Sequence, residues 1–438
     1  MSQLKDELMS KLENKTAKLG VVGLGYVGLP LAVEKAKAGY KVIGFDVQSK
    51  KVDMVNAGNN YIGDIVNQDL KNLVEEGSLK ATTDFSFVKE VDTVCICVPT
   101  PLDIYKQPDL SYVVSSTESV AKYLHKGMLV VLESTTYPGT TEEVCKPILE
   151  KSGLKCGKDF FLAFSPERVD PGNKEFKTKN TPKVVGGCTE ECTEVAAALY
   201  RSVLQSDVKE VSSPAVAEME KILENTFRNI NIALANEMAM LCNKMGIDVW
   251  EVIDAAKTKP YGFMPFYPGP GLGGHCIPLD PFYLEWKAKE YDFHTKLIET
   301  SGIINDCMPE FVVDNVMKLL NKNKKALNGA KVLLLGVAYK KDIDDMRESP
   351  VLKVIDHLLK NGADIIYNDP YIPSFKHNGV QYESTPWEEA IKYADAVIIT
   401  TDHSSYDYEK IVAEASVLYD TRNATKDVKN NREKIVKL

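Results

Sequence analysis

The chain lacks an apolar run long enough to span a bilayer, and its charged N-terminal stretch is not followed by the apolar core of a signal peptide. It also lacks a block of Lys and Arg able to track a phosphate backbone. With 53 basic and 62 acidic residues its formal charge is -9, which argues against nucleic acid as a partner. Nine cysteines are scattered without paired metal-ligand spacing, and their odd number does not suit a disulfide framework. No metal site is therefore expected, no membrane partner, and a reducing cytoplasmic setting. What is present is 438 residues of ordinary globular composition, too many for one typical domain.

Residues 1–18 read as a charged helix carrying Leu4, Leu8 and Leu12. A βαβ start then covers residues 18–46. The strand Leu19-Gly20-Val21-Val22 leads into a glycine turn, a helix runs through Leu31, Ala32 and Ala36 to Gly39, and a second strand ends at Asp46. Further apolar runs at 93–98, 128–132, 160–164 and 183–186 predict a doubly wound parallel sheet. A second α/β sheet is predicted from runs at 331–336, 364–367, 396–400 and 417–420. Residues 212–320 show no strand pattern. There Ser212-Ser213-Pro214 resembles a helix start, and Val216, Met219, Leu223, Phe227, Ile230, Leu234, Met238 and Leu241 recur at helical spacing up to Gly246. A helix of about 30 residues, roughly 45 Å long, fits a spine between two domains that also serves as a dimer interface. The expected fold is thus α/β, with two Rossmann-like doubly wound domains joined by a central helical domain with a long spine helix. The expected boundaries are 1–208, 209–320 and 321–438.

The run Gly23-Leu24-Gly25-Tyr26-Val27-Gly28 follows a strand, opens a helix, and is followed 18 residues later by Asp46. Such glycines let a pyrophosphate approach a helix N-terminus. Asp46 would accept from ribose hydroxyls and repel a 2′-phosphate, which favours NAD over NADP, although Lys50 and Lys51 lie close by. Two further loops leave strand C-termini, where open α/β sheets bind ligands: one holds Pro99 and Thr100, the other Thr135. Glu167, in Ser165-Pro166-Glu167-Arg168, is a candidate base, or else a solvated carboxylate. Lys221 and Asn225 are four apart and share a helix face; aimed at one oxygen they form an oxyanion site, and otherwise a solvated pair.

The most pointed run is Pro268-Gly269-Pro270-Gly271-Leu272-Gly273-Gly274-His275-Cys276-Ile277-Pro278-Leu279-Asp280-Pro281. Glycines such as Gly273 admit a substrate close to the backbone, so Cys276 stands where a bound molecule can reach it. A lone cysteine is otherwise a small buried apolar residue. A thiol beside a nicotinamide points to aldehyde oxidation through a thioester. Lys340, Lys341 and Arg347 follow the first strand of the second sheet and suit a diphosphate or carboxylate, though the acids among them also fit a plain charged loop.

In this order, from Leu19 to about Arg422, these motifs resemble the nucleotide-sugar 6-dehydrogenases of the UDP-glucose/GDP-mannose dehydrogenase family. The resemblance implies NAD-dependent four-electron oxidation of a sugar C6 alcohol for polysaccharide precursors, with Cys276 as nucleophile. It makes Lys221 and Asn225 the oxyanion pair, Asp280 the residue that positions water or shuttles protons, and Glu167 the residue of thioester hydrolysis. It places Thr135 near the reacting carbon and the cofactor, Lys51 and Arg347 against the cofactor, and Lys340 with Gly273 against the substrate. The UDP would sit in the second α/β domain, and the spine helix would join a homodimer. The run His275-Cys276-Ile277-Pro278-Leu279-Asp280-Pro281-Phe282-Tyr283 is most similar to the N-acetylhexosamine branch, with UDP-N-acetylglucosamine ahead of UDP-N-acetylmannosamine, and UDP-glucose as a further alternative. Arg168-Val169-Asp170-Pro171-Gly172 departs from the Phe-Leu-x-Glu of the glucose branch, which puts a second carboxylate near Asp170 in doubt.

Two other classes compete. A two-electron hydroxyacid-type NAD dehydrogenase needs neither the cysteine loop nor a second α/β domain. A non-enzymatic nucleotide-sugar sensor needs none of Cys276, Lys221 and Asp280. The thioester reading adds that Cys276, with His275 and Lys221 near it, reacts faster with alkylating agents than the other eight cysteines.

Overall fold

Strands of three to five residues pair into one large sheet in each of the two units into which the chain divides: Met1–Glu224 with Trp286–Phe293, and Asn225–Glu285 with His294–Leu438. The computed structural model describes every residue except Met1, Asp64, Ile104, Pro171, Gly172, Lys174 and His275. In the first unit the strands are β1 (Lys18–Val22), β2 (Lys41–Phe45), β3 (Leu79–Thr82), β4 (Thr93–Ile96), β5 (Leu129–Leu132), β6 (Phe161–Phe164), β7 (Lys183–Gly187) and β8 (Val208–Val211). Their order is β3-β2-β1-β4-β5-β6-β7-β8, so the sheet reverses its direction of growth between β1 and β4, beside the glycine turn. Strands β4, β5 and β6 are buried along their whole length, which is why they are apolar apart from Thr93 at the start of β4. Edge strands β3 and β8 are partly exposed and carry polar residues, so no apolar run announces them.

The sheet is not parallel throughout, as the strand rhythm predicted: β6 and β7 are antiparallel. A parallel neighbour needs a crossover, usually a helix, whereas an antiparallel one does not. Residues 165–182, which join these strands, contain no helix among the described residues.

The second unit holds a parallel sheet, β10-β9-β13-β14-β15, and a separate hairpin, β11–β12. Its strands are β9 (Lys331–Leu335), β10 (Asp364–Asn368), β11 (Ser374–His377), β12 (Val380–Glu383), β13 (Ala396–Ile399), β14 (Leu418–Asp420) and β15 (Ile435–Lys437). The spine helix, Pro214–Met245, has 32 residues and passes from the first unit into the second. Ser213 Oγ accepts from the Val216 amide at its start, and Gly246, at φ +71°, ends it.

The buried face of this helix mixes polar side chains with small apolar ones such as Ala217, Ala233 and Ala239 and with Ile222. Glu218, Lys221, Asn225, Asn229 and Asn236 are buried, while Leu223, Leu234 and Leu241 are 63%, 53% and 47% exposed. The apolar spacing read from the sequence therefore marks, for the most part, an outward stripe rather than a core-facing one. Among the described residues no helix is long and apolar enough to cross a membrane.

Candidate functional site

The predicted site residues fall into two sets, one in each unit. In the first, Gly23 has φ +90°, and a Cβ there would lie 2.5 Å from the Cys97 carbonyl oxygen. A Cβ on Gly28 would lie 1.8 Å from the Gly23 oxygen, so the turn closes only with glycine. A Cβ on Gly25 would meet nothing within 4 Å. The helix Gly28–Lys37 starts at this turn, after Tyr26 and Val27, without a side-chain cap. Open space at Gly25 and an uncapped helix start fit a dinucleotide pyrophosphate.

Asp46 is buried; one oxygen accepts from the Leu24 amide at 2.9 Å, the other from Gln48 at 2.9 Å. Lys51 pairs with it at 3.6 Å. Each Asp46 oxygen therefore accepts one amide and keeps a second lone pair.

Loops after β4 and β5 are tied together at the same sheet edge. Thr100 Oγ1 donates to the Thr135 carbonyl at 2.6 Å, and Ser134 bonds both the amide and the carbonyl of Val98, next to Pro99. The Thr135 loop is held in turn by Glu218, a residue that sequence reasoning missed. Its carboxylate accepts from the Gly139 amide at 2.6 Å, the Thr141 amide at 2.9 Å and the Thr141 hydroxyl at 2.7 Å. Glu218 thereby clamps the spine helix to that loop one turn before Lys221, which is also buried. Burial pushes the Glu218 carboxyl up, against the three donors that oppose it.

Glu167 is not a solvated carboxylate. One oxygen accepts from the Arg168 amide at 2.9 Å and the Val169 amide at 2.8 Å, and the other lies 3.5 Å from Lys183 Nζ. Arg168 next to it pairs with Glu224 and, at 3.5 Å, with Glu220, both on the spine helix. Burial and the charge of Glu224 push Glu220 up to about 7.

In the second unit the cysteine loop is fastened at both ends by buried asparagines of the spine helix. Asn236 Oδ1 accepts from the Gly269 amide at 3.0 Å, Asn229 donates to the Ile277 carbonyl at 3.0 Å, and Asn225 donates to Asp280 Oδ2 at 2.6 Å. Asn229 and Asn236 were also missed, although amides at positions four and eleven beyond Asn225 were visible on the predicted helix. Asp280 opens the helix Asp280–Ala288, and its amide donates to the Cys276 carbonyl at 2.8 Å. Cys276 is exposed; His275 lies outside the described residues. Of the other cysteines only Cys307 is exposed.

The loop glycines are also required by the packing of the protein itself. A Cβ on Gly273 would lie 2.7 Å from Pro350 and 2.8 Å from Tyr339; a Cβ on Gly274, at φ +91°, would lie 3.1 Å from Tyr339. The protein itself fills the space beside them. Tyr339 precedes Lys340, so the cysteine loop packs against the segment that carries this cation. Arg347, exposed in the same segment, forks onto Asp345 at 2.9 and 2.7 Å.

Sequence profiles of the UDP-glucose/GDP-mannose dehydrogenase family match the chain three times: the NAD binding domain over residues 17–204, the central domain over 215–307 and the UDP binding domain over 333–427. The UDP-N-acetyl-D-glucosamine 6-dehydrogenase of Pseudomonas aeruginosa is 39% identical over 418 residues, 93% of this chain and 97% of that protein. The UDP-N-acetyl-D-mannosamine dehydrogenase of Campylobacter jejuni is 37% identical over 406 residues, 90% of this chain and 97% of its own length. Among solved structures, a UDP-D-ManNAc dehydrogenase from Pyrococcus horikoshii superposes with a TM-score of 0.86 at 34% identity, covering 96% of this chain and 98% of that one.

Proposed function

The chain belongs to the UDP-glucose/GDP-mannose dehydrogenase family and is an NAD-dependent oxidoreductase; from that premise we propose that it oxidises the C6 hydroxyl of a UDP-N-acetylhexosamine to the uronic acid. UDP-N-acetylglucosamine is placed ahead of UDP-N-acetylmannosamine on the residues around Cys276 and on the 39% identical relative. The observation that carries the reading is an exposed thiol, Cys276, on a loop fixed at both ends by buried amides of the spine helix.

NAD, when bound, supplies the hydride acceptor for both oxidations, and Gly23, Gly25, Gly28, Asp46, Lys51 and the Pro99, Thr100 and Thr135 loops are the groups to hold it. The chain's own residues do the rest. Cys276 adds through sulfur to the C6 aldehyde, giving a thiohemiacetal that is carried on to a thioester. Lys221 and the Asn225 amide, one helical turn apart, stabilise the oxyanion. Asp280, held by Asn225, keeps that amide oriented and carries protons. In hydrolysis water adds to the acyl carbon, Glu167 takes its proton, and the C–S bond breaks to return the Cys276 thiolate. Lys340 and the backbone of Gly273 bind the UDP-sugar, and Arg347 contacts the cofactor. The outward apolar stripe of the spine helix joins two copies of the chain into a homodimer. The same reading keeps three functional regions, at 1–208, 209–320 and 321–438.

The test is NADH release from limiting UDP-N-acetylglucosamine, UDP-N-acetylmannosamine or UDP-glucose. Two NADH per sugar are expected with an N-acetylated substrate, and Cys276→Ser should lower turnover by about 10⁴-fold or more. One NADH per sugar overturns the thioester role of Cys276. Two NADH with UDP-glucose alone overturns the choice of branch.

A further inference from the structure

The first unit buries a set of charged groups behind Glu167. Lys183 Nζ lies 2.8 Å from Glu133 Oε2 and 3.5 Å from Glu167, with the Lys183 and Glu133 side chains 6% and 0% exposed. Tyr200 donates to the other Glu133 oxygen at 2.5 Å. Lys35, fully buried, lies 2.8 Å from Cys95 Sγ, which is 3.8 Å from the Tyr200 hydroxyl. Burial pushes the Cys95 thiol and the Tyr200 phenol up, so both are neutral. For Glu133, burial opposes ionisation, but Lys183 and Lys35 outweigh it and hold the carboxyl below its ordinary range.

Lys183 thus lies between two carboxylates, Glu133 behind it and Glu167 at the mouth of the set, and a buried charge without such partners is costly. The Glu167 carboxylate is placed there by the one antiparallel pairing in the sheet. The register sets Ala163 opposite Gly187 and Phe164 opposite Gly186. Continued by three residues, it sets position 167 opposite position 183. A parallel β7 would begin at the other edge of the sheet, and Lys183 with it.

We propose that Lys183, held by Glu133, is the positioning residue of Glu167: it acts on the thioester through that carboxylate and touches neither sugar nor cofactor. The two backbone amides fix one oxygen of Glu167, and the Lys183 charge fixes the other, so the carboxylate meets water in one orientation. The inference rests on Glu167 being the base of the hydrolytic step. Both oxidations precede that step, so loss of Lys183 slows only the release of the acyl group from Cys276.

The experiment compares Lys183→Met, Lys183→Arg and Glu167→Gln, using whichever UDP-N-acetylhexosamine the unmodified enzyme oxidises. Each is mixed with NAD and sugar, quenched in acid, and weighed intact. Lys183→Met is expected to release two NADH per site in a burst, then turn over about 10- to 100-fold more slowly, with the acyl adduct accumulating on Cys276. Lys183→Arg, which keeps a buried cation, is expected to restore most of the rate. Lys183→Gln, which keeps a donor without charge, takes the place of Lys183→Met if that protein does not fold, with the same adduct expected. If the adduct accumulates in Glu167→Gln but not in the uncharged Lys183 variants, the positioning role is overturned and the base assignment stands. If Glu167→Gln accumulates none, the base assignment fails and this inference with it. Equal loss of rate in Lys183→Arg and Lys183→Met, without adduct, marks Lys183 as structural only and also overturns the proposal.

Discussion

The two α/β sheets begin alike and end differently. Each has a glycine of positive φ after its first strand, Gly23 at +90° and Gly336 at +86°. Each of these glycines donates to the last carbonyl of the neighbouring strand, Phe45 at 2.7 Å and Asn368 at 2.8 Å. Each second strand is followed by an acid, Asp46 or Asp369. Asp46 accepts only one amide on each oxygen, with Lys51 3.6 Å from Oδ2. Asp369 accepts four amides, from Val337, Ala338, Tyr371 and Ile372, and its Oδ2 also lies 3.1 Å from His403 Nε2. In the first sheet a helix starts at Gly28, close behind the turn; in the second the next helix starts at Pro350, after a long segment carrying Lys340 and Arg347. One frame is open to a dinucleotide. The other has closed its acid into the structure and turned the loop toward the cysteine run. The frame sets where a ligand edge lies; the hydrogen bonds already made there decide what can bind.

The largest contrast is expected from removing the acids. Asp369→Ala leaves buried amides and His403 without their acceptor, and should cost about 3–5 kcal/mol of stability in urea unfolding. Asp46→Ala should cost less than half of that, but weaken NAD binding by about 10-fold in a fluorescence titration. Equal loss of stability in both would break the comparison. The glycines come next. Alanine at Gly23 would bring its Cβ to 2.5 Å from a carbonyl oxygen, and alanine at Gly336 to 2.4 Å from Thr401. Each should cost about 1–3 kcal/mol, but only Gly23→Ala should reduce cofactor affinity.

The smallest effect is in acid. Burial opposes the Asp369 carboxylate, yet His403 and the amides hold it below the ordinary range. A carboxyl lowered in the folded state adds stability that is full above the unfolded value of about 3.9 and is lost as pH falls through the folded value. Asp369→Asn should therefore unfold with a shallower pH dependence below about pH 4 than the unmodified chain, measured by urea midpoints. An unchanged slope would mean that other carboxylates carry the acid sensitivity.

Much of this was legible before any coordinates. The glycine turn, Asp46, the cysteine run and the span of the spine helix are local patterns, readable within a few residues of themselves. Edge strands β3 and β8 were not, because their exposed positions hold polar residues. The direction of β7 was not, because the apolar run Val184-Val185 reads the same either way. The spine helix misled in one respect: its apolar spacing was plain, but most of that series points outward, and the buried face holds Glu218, Lys221 and the asparagines beside Ile222 and several alanines. Those polar groups find partners far away in sequence, 79 residues for Glu218 with Gly139 and 55 for Asn225 with Asp280.

By itself the sequence determined the α/β class, the dinucleotide turn, the thiol-bearing loop and the family to which they belong, because each depends on backbone preferences and side chains close along the chain. Only the tertiary structure decided what each charged side chain faces. It set Lys183 between Glu133 and Glu167, Glu218 on the Thr135 loop, and Tyr339 against Gly273. The physical reason is that a buried polar group must find a partner at a few ångströms, and which one it finds is settled by how distant elements pack.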